Sequence, residues 1–166
     1  MKNFILFEGL DGAGKSTLMN GFMRNNPGYI SMYSVPDNLN DFRKIIDKVQ
    51  EPLAALHFFG LCNIIRSHEI KQKLAQQQKV VMDRYFFSTL AYQLQMIGDQ
   101  VWHWFDLMLK GQAIVLPDVV VFVTARPEII AARIAQRDLD NKVVNKTEWY
   151  GDEISKRKSA DLKEAY

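Results

Sequence analysis

The stretch that decides the fold runs Phe4-Ile5-Leu6-Phe7-Glu8-Gly9-Leu10-Asp11-Gly12-Ala13-Gly14-Lys15-Ser16-Thr17. Phe4 to Phe7 form a short apolar run of strand character, and Gly9 to Ser16 fit G-x-x-x-x-G-K-[ST] without a mismatch. Glycines let consecutive backbone N–H groups turn inward around an anion, a conformation that side chains would obstruct. A helix starting near Lys15 adds the positive end of its dipole. Lys15 is suited to bridging the outer phosphates of a nucleotide, and the Ser16 hydroxyl to a place on Mg²⁺. The bland alternative, a glycine-rich turn that binds nothing, does not explain a complete match lying between a strand and a helix. Gly9, Gly12, Ala13, Gly14, Lys15, Ser16 and Thr17 are therefore the candidate nucleotide-binding residues.

Further along the chain two more apolar runs have strand character, Lys79-Val80-Val81-Met82 and Val119-Val120-Val121-Phe122-Val123. A weaker candidate is Tyr29-Ile30-Ser31-Met32-Tyr33-Ser34, set between Pro27-Gly28 and Pro36. Hydrophobicity without alternation predicts strands covered on both faces, as in a parallel sheet. Helical spacing marks Ser16 to Met23, the stripe Phe42, Ile45, Ile46 and Val49, and a long segment from about Leu53 to Ala75. Trp102 to Leu109 and Ile129 to Ile134 follow, and the tail from Glu148 to Tyr166 is strongly charged. Strands alternating with helices predict an α/β architecture.

A chain of 166 residues has the length of one domain, and we expect a single domain over 1–166. Apolar residues at 48% and charged residues at 24% exclude a disordered chain, a collagen-like fibre and a disulfide scaffold. Twenty-one Lys and Arg against nineteen Asp and Glu leave a net charge of +2, too little to attract duplex nucleic acid. Cys62 is the only cysteine, so neither an intrachain disulfide nor a Cys-based zinc site is available. The apolar run at the N-terminus is too short for a signal sequence, and no window reaches the roughly 18 apolar residues of a membrane helix. The expectation is a cytoplasmic protein with neither a nucleic-acid nor a membrane partner.

A second constellation closes the second apolar run at Asp83-Arg84-Tyr85. An Asp at the C-terminal end of a parallel strand projects into the crevice where such sheets bind ligands. Asp83 is suited to holding the Mg²⁺ shell, directly or through water. Arg84 offers a planar fork for a phosphate. Taken alone, the pair equally fits an Asp capping the next helix beside a surface Arg.

Three strings together resemble the thymidylate kinase family: Phe7 to Thr17, the run Asp83-Arg84-Tyr85-Phe86-Phe87-Ser88-Thr89-Leu90-Ala91-Tyr92-Gln93, and Leu116-Pro117-Asp118 leading a strand into Arg126-Pro127-Glu128. Order and approximate spacing fit from Lys2 to about Tyr166. The D-R-Y-x-x-S-x-x-A-Y-Q string is more specific than the phosphate loop, which many NTPases share. The resemblance implies a three-layer P-loop kinase fold with a central parallel sheet, and ATP-dependent phosphorylation of dTMP with Mg²⁺. It also implies a homodimer. Position by position it puts Asp11 at the acceptor's 3′-hydroxyl, Arg84 and Arg43 on the acceptor phosphate, and Tyr92 under the deoxyribose. Ser88 and Gln93 would lie near the base, with Phe58 or Phe59 stacked on it. Because Gly12 and Ala13 leave the loop without an Arg, the catalytic cation is expected from a lid at about 133–146. Arg137 and Lys142 are the first candidates there, with Arg133 close behind.

The chain also departs from the family pattern. After the second strand the family carries E-P-G-G-T where this chain has Ser34-Val35-Pro36-Asp37-Asn38. A gapless count back from Asp83 puts Cys62 at the base-reading Arg, with Asn63 and Arg66 the nearest polar substitutes. The family's fifth, edge strand has no counterpart before Tyr166, which predicts a four-stranded core without the loop that helps hold adenine. Two rival functions follow: a deoxynucleoside kinase, which needs a carboxylate base, and a nucleotide-binding protein of the same fold with weak catalysis.

Overall fold

The computed structural model describes residues 3–144, with side chains from 3 to 140. In chain order the elements are β1 (Phe4–Glu8), α1 (Lys15–Asn25), β2 (Tyr29–Tyr33), a 3₁₀ turn (Asp37–Leu39), α2 (Asn40–Val49) and α3 (Pro52–Ala75). There follow β3 (Lys79–Asp83), α4 (Phe86–Ile97), α5 (Gln100–Lys110), β4 (Val119–Phe122) and α6 (Pro127–Val144). Among the described residues the sheet has four strands in the order β2-β3-β1-β4, all parallel. Phe4 pairs with Val80, Ile5 with Val119, and Ile30 with Val80, so the apolar runs line up side by side.

Alternation of side chains across the sheet explains why the central strands are apolar throughout. Phe4, Leu6, Val80 and Met82 pack with Ile70 of α3, Tyr85, Phe86 of α4 and Ile114. Ile5, Phe7 and Val81 point to the other face, against Ala13 of the loop, Met19 of α1 and Val123. Helices cover the two faces, giving three layers. β4 departs from the two-faced expectation. Val119 and Val121 pack against the Ile5 and Phe7 side, while Val120 and Phe122 are about half exposed on the other.

The weak second strand is present, at the edge of the sheet. α4 is the element that periodicity alone did not mark, because its apolar residues run around most of its circumference. α3 starts on Pro52 at its first turn, with Glu51 accepting from the Leu53 N–H at 3.3 Å. Arg133 and Arg137 lie on α6, which continues as helix through Val144. The side chain of Lys142, the end of the expected lid and the charged tail lie outside the described residues. Among the described residues no helix is long and apolar enough to cross a membrane.

Candidate active site

β1 ends on a buried carboxylate, Glu8, and Gly9 then leaves the strand at φ +135°. A Cβ on Gly9 would lie 2.1 Å from the Val123 carbonyl oxygen, so only glycine lets the loop pass the end of β4. Gly14, left-handed at φ 105°, caps α1, and Lys15 is the helix's first residue. The N–H groups of that first turn have no helical acceptor and form an anion site. Lys15 Nζ folds back to donate to the carbonyls of Gly9 at 2.9 Å and Leu10 at 2.8 Å. Burial and the nearby Arg84 cation push its ammonium below the usual lysine range, against the pull of Asp11, Asp83 and Glu8. Over the loop lies a cleft of about 570 Å³, whose wall includes Asp83, Arg84, Thr124, Arg133 and Arg137.

Ser16 Oγ donates to Asp83 Oδ2 at 3.2 Å, while Asp83 Oδ1 is buried without a hydrogen-bond partner. A buried carboxylate oxygen with no donor is costly unless something positive meets it. Beside a hydroxyl and a phosphate loop, this donor set is all oxygen and suits a hard divalent cation. The residues present therefore fit Mg²⁺.

Arg84 follows β3 in the left-handed region, φ 64°, uncommon for a residue with a side chain. Its N–H donates to the Phe7 carbonyl at 2.9 Å, which ties the turn to β1. From that turn the guanidinium reaches Ser88 Oγ at 3.0 Å and Asp11 Oδ1 at 2.7 Å, and lies 5.5 Å from the Tyr92 ring centre. Burial works against the Arg84 charge, and the facing Tyr92 and Asp11 outweigh it, holding its pKa up. Burial would likewise raise Asp11, yet Arg84 and Lys15, with a smaller push from Arg137, keep its carboxyl below the usual range.

α6 lies against the loop. Gly12 adopts φ +77°, and a Cβ there would meet the Ile130 carbonyl oxygen at 3.0 Å. A larger residue in the loop would push α6 away. Instead Arg133 Nη1 donates to the carbonyls of Gly12 and Ala13 at 3.1 and 3.2 Å. Arg137, one turn on, is half exposed and pairs with Asp138 at 3.4 Å. Thus the two arginines differ: Arg133 is fastened to the loop, and Arg137 stands at the cleft with its guanidinium largely uncommitted.

The remaining candidates lie on α2, α3 and α4. Phe58 is buried with Val35 and Cys62, whereas Phe59 is half buried, with the Arg43 guanidinium 5.4 Å from its ring centre. Arg43 also pairs with Asp47 at 3.3 Å. Cys62 belongs to that apolar cluster, and burial pushes its thiol up to about 11. Arg66 donates to the carbonyls of Tyr33 at 2.7 Å and Val35 at 2.9 Å and pairs with Glu69, so it holds the end of β2 and not a base. The neighbour that does reach α4 is Asn63, fully buried, donating to Thr89 Oγ1 at 3.0 Å. Gln93, one turn beyond Thr89, is buried with Oε1 unpartnered.

Sequence reasoning gave no role to Glu8 or Thr89, and treated Asn63 only as a substitute. The available signals were slight. Glu8 is an acid ending a fully apolar strand, and Asn63 and Thr89 are polar interruptions of apolar helices, four residues from Phe59 and Gln93 respectively.

A family model described as "Thymidylate kinase" matches residues 7–157. Over 148 residues the chain is 32% identical to a probable thymidylate kinase of Thermoplasma acidophilum, covering 83% of this chain and 73% of that protein. It is 29% identical over 154 residues to thymidylate kinase of Mycoplasma pneumoniae, covering 86% and 72%. Among solved structures it is similar to thymidylate kinase from Candida albicans, with TM-score 0.68, 22% identity and coverage of 99% of this chain and 76% of that one. Deoxyadenosine kinase from M. mycoides, at TM-score 0.61 and 18% identity, covering 99% and 83%, shares the fold as well.

Proposed function

The chain belongs to the thymidylate kinase family, and we infer from this and from its site that it transfers the γ-phosphoryl group of ATP to dTMP, giving dTDP and ADP. The observation that carries the reading is the meeting, in one cleft, of the phosphate loop with the Arg84–Asp11 pair. One half is built for a polyphosphate and the other for a second, singly phosphorylated partner. Phosphoryl transfer asks little covalent help of a protein; it needs two nucleotides aligned and the charge at the transferring group neutralised.

In this scheme the loop from Gly9 to Thr17 wraps the ATP phosphates, and Lys15 exchanges its carbonyl partners for phosphate oxygens. Ser16 and Asp83 would hold Mg²⁺, which when bound draws charge from the outer phosphates. Arg84 and Arg43 hold the acceptor phosphate, and Asp11 accepts from the 3′-hydroxyl of the acceptor's sugar. Arg137 supplies the catalytic cation from α6, while Arg133 keeps that helix on the loop. Phe59, more exposed than the core residue Phe58, stacks on the base. Tyr92 packs under the sugar, and Gln93 turns its unpartnered oxygen to a donor on the base. The acceptor phosphate is already an anion at neutral pH, so no general base is required.

A deoxynucleoside kinase would instead need a carboxylate at the 5′-hydroxyl. The first acid after β2 is Asp37, which lines a separate groove with Arg66, Glu69 and Lys73. That supports the monophosphate as acceptor. The deciding experiment incubates nucleosides and nucleoside monophosphates with ATP and Mg²⁺ and follows ADP release. Release with dTMP and not with thymidine is expected; the reverse would overturn the assignment.

A further inference from the structure

Glu8 immediately precedes the phosphate loop, is 1% exposed and does not line the cleft. Its Oε1 accepts from the N–H groups of Tyr85 at 3.0 Å and Ser88 at 3.3 Å, at the start of α4. Its Oε2 accepts from the Ser88 hydroxyl at 2.6 Å. A hydroxyl has one proton, and here Glu8 takes it. Ser88 Oγ is left with lone pairs only, and it offers one to Arg84 Nη1 at 3.0 Å. The other arm of the same guanidinium meets Asp11 at 2.7 Å.

Helix capping alone does not account for this residue. A helix start is served by Ser, Asn or Asp at the surface, whereas burying a carboxylate is expensive. Here burial raises the Glu8 pKa, and the hydrogen bonds from Ser88 and Tyr85 work against that rise. Arg84 also needs more than its backbone turn, since a long flexible side chain keeps one geometry only if its fork is held.

We propose that Glu8 is a positioning residue: acting through Ser88, it fixes the guanidinium of Arg84 with one arm anchored and the other aimed at the incoming acceptor phosphate. The arm on Asp11 is the one phosphate can recruit, and the arm on Ser88 stays put. Glu8 thereby couples the strand that launches the ATP loop to the residue that grips the other nucleotide. The assignment rests on Arg84 being the acceptor's phosphate ligand.

The test compares Glu8→Gln, Ser88→Ala and the double variant with the unaltered chain, measuring KM for dTMP and for ATP, kcat and apo melting temperature. Glu8→Gln keeps shape and the backbone caps but puts an N–H₂ against the hydroxyl, turning the Ser88 proton away. Each single variant should raise the dTMP KM by roughly tenfold, the scale of one hydrogen bond to a charged group. ATP KM should stay within about twofold, and the double variant should be no worse than the poorer single one. Parallel losses for both substrates with a lowered melting temperature would make Glu8 a structural cap and overturn the proposal. So would effects of the two substitutions that multiply. If Glu8→Gln does not fold, Ser88→Ala decides, since an unchanged dTMP KM in that variant also overturns it. Failure of the unaltered chain to turn over dTMP would count against the reaction itself. Calorimetric binding of dTMP to the same variants then reads the Glu8 effect separately.

Discussion

Lys15 belongs to none of the packed clusters, and its ammonium rests on two carbonyls of its own loop. Replacing it by Ala removes a ligand for phosphate. Transfer should fall by roughly 10²–10³, the scale of one preorganised donor at a site of developing charge, with the apo melting temperature little changed. A comparable loss of apo stability would show that Lys15 holds the fold instead. Cys62 makes the opposite case. Buried at 1% with its thiol pushed up to about 11, it should resist iodoacetamide in the native chain from pH 7 to 9 and react once denatured. Native alkylation that climbs over that range would place the thiol near the surface. At this scale the loop was legible because its chemistry dictates residue type and spacing together. Glu8 was not, because its partners, Tyr85 and Ser88, stand almost half the chain away and only the β1–β3 pairing brings them near.

Elements carry the next level of constraint, and α3 carries most of it. Gly60 lies midway along α3, where Ala would be the better helix former by about 1 kcal/mol. A Cβ there would lie 2.3 Å from the Trp104 ring of α5, so the glycine is kept for the helix contact. Gly60→Ala should therefore destabilise the protein by about 1–3 kcal/mol in urea unfolding, as overpacking does; a more stable variant would refute the contact. Three residues on, the same helix presents Asn63 to Thr89 of α4. We propose that Asn63 faces the base, an amide where the family resemblance implies a charged fork, and a lost charged contact is worth about 1–3 kcal/mol. We expect the dTMP preference over dUMP and other deoxynucleotides, as kcat/KM, to be smaller by roughly tenfold than a guanidinium would give. Asn63→Arg should sharpen it, and no change would mean that Asn63 does not face the base. UMP should remain poor on the proposal that Tyr92 packs beneath the sugar. The sequence signalled α3 by length and left α4 unmarked, since a helix with apolar residues around most of its surface has no clear face. Cys62, which the gapless count puts at the base-reading position, packs with Val35 and Phe58, while its neighbour Asn63, about 100° further around the helix, reaches Thr89 of α4.

For the whole molecule, the parallel sheet was legible because near-continuous apolar runs separated by helical stretches imply strands covered on both faces. What covers the outside of α3 was not, since among the described residues nothing encloses it. Leu53, Leu61 and Ile64 follow one another at helical spacing along that outer side and are 48%, 51% and 40% exposed. A helix that buries Leu56, Phe58, Cys62 and Ile70 inward and still shows these residues outward is apolar on two sides. Such a face suits a two-fold contact in which α3 meets α3 of a second copy, each patch covering its own image. We therefore expect a homodimer at micromolar concentration by light scattering, and Leu61→Glu should yield monomers by placing two carboxylates against each other at the axis. The consequence reaches the cleft. α3 presents Phe59 to Arg43 of α2 and Asn63 to Thr89 of α4, so releasing its outer side should loosen these contacts before it loosens the phosphate loop. The Leu61→Glu monomer should show a raised dTMP KM with ATP KM nearly unchanged. A monomeric unaltered chain would end the dimer, and a monomeric variant with both constants intact would show that the pocket stands without its partner.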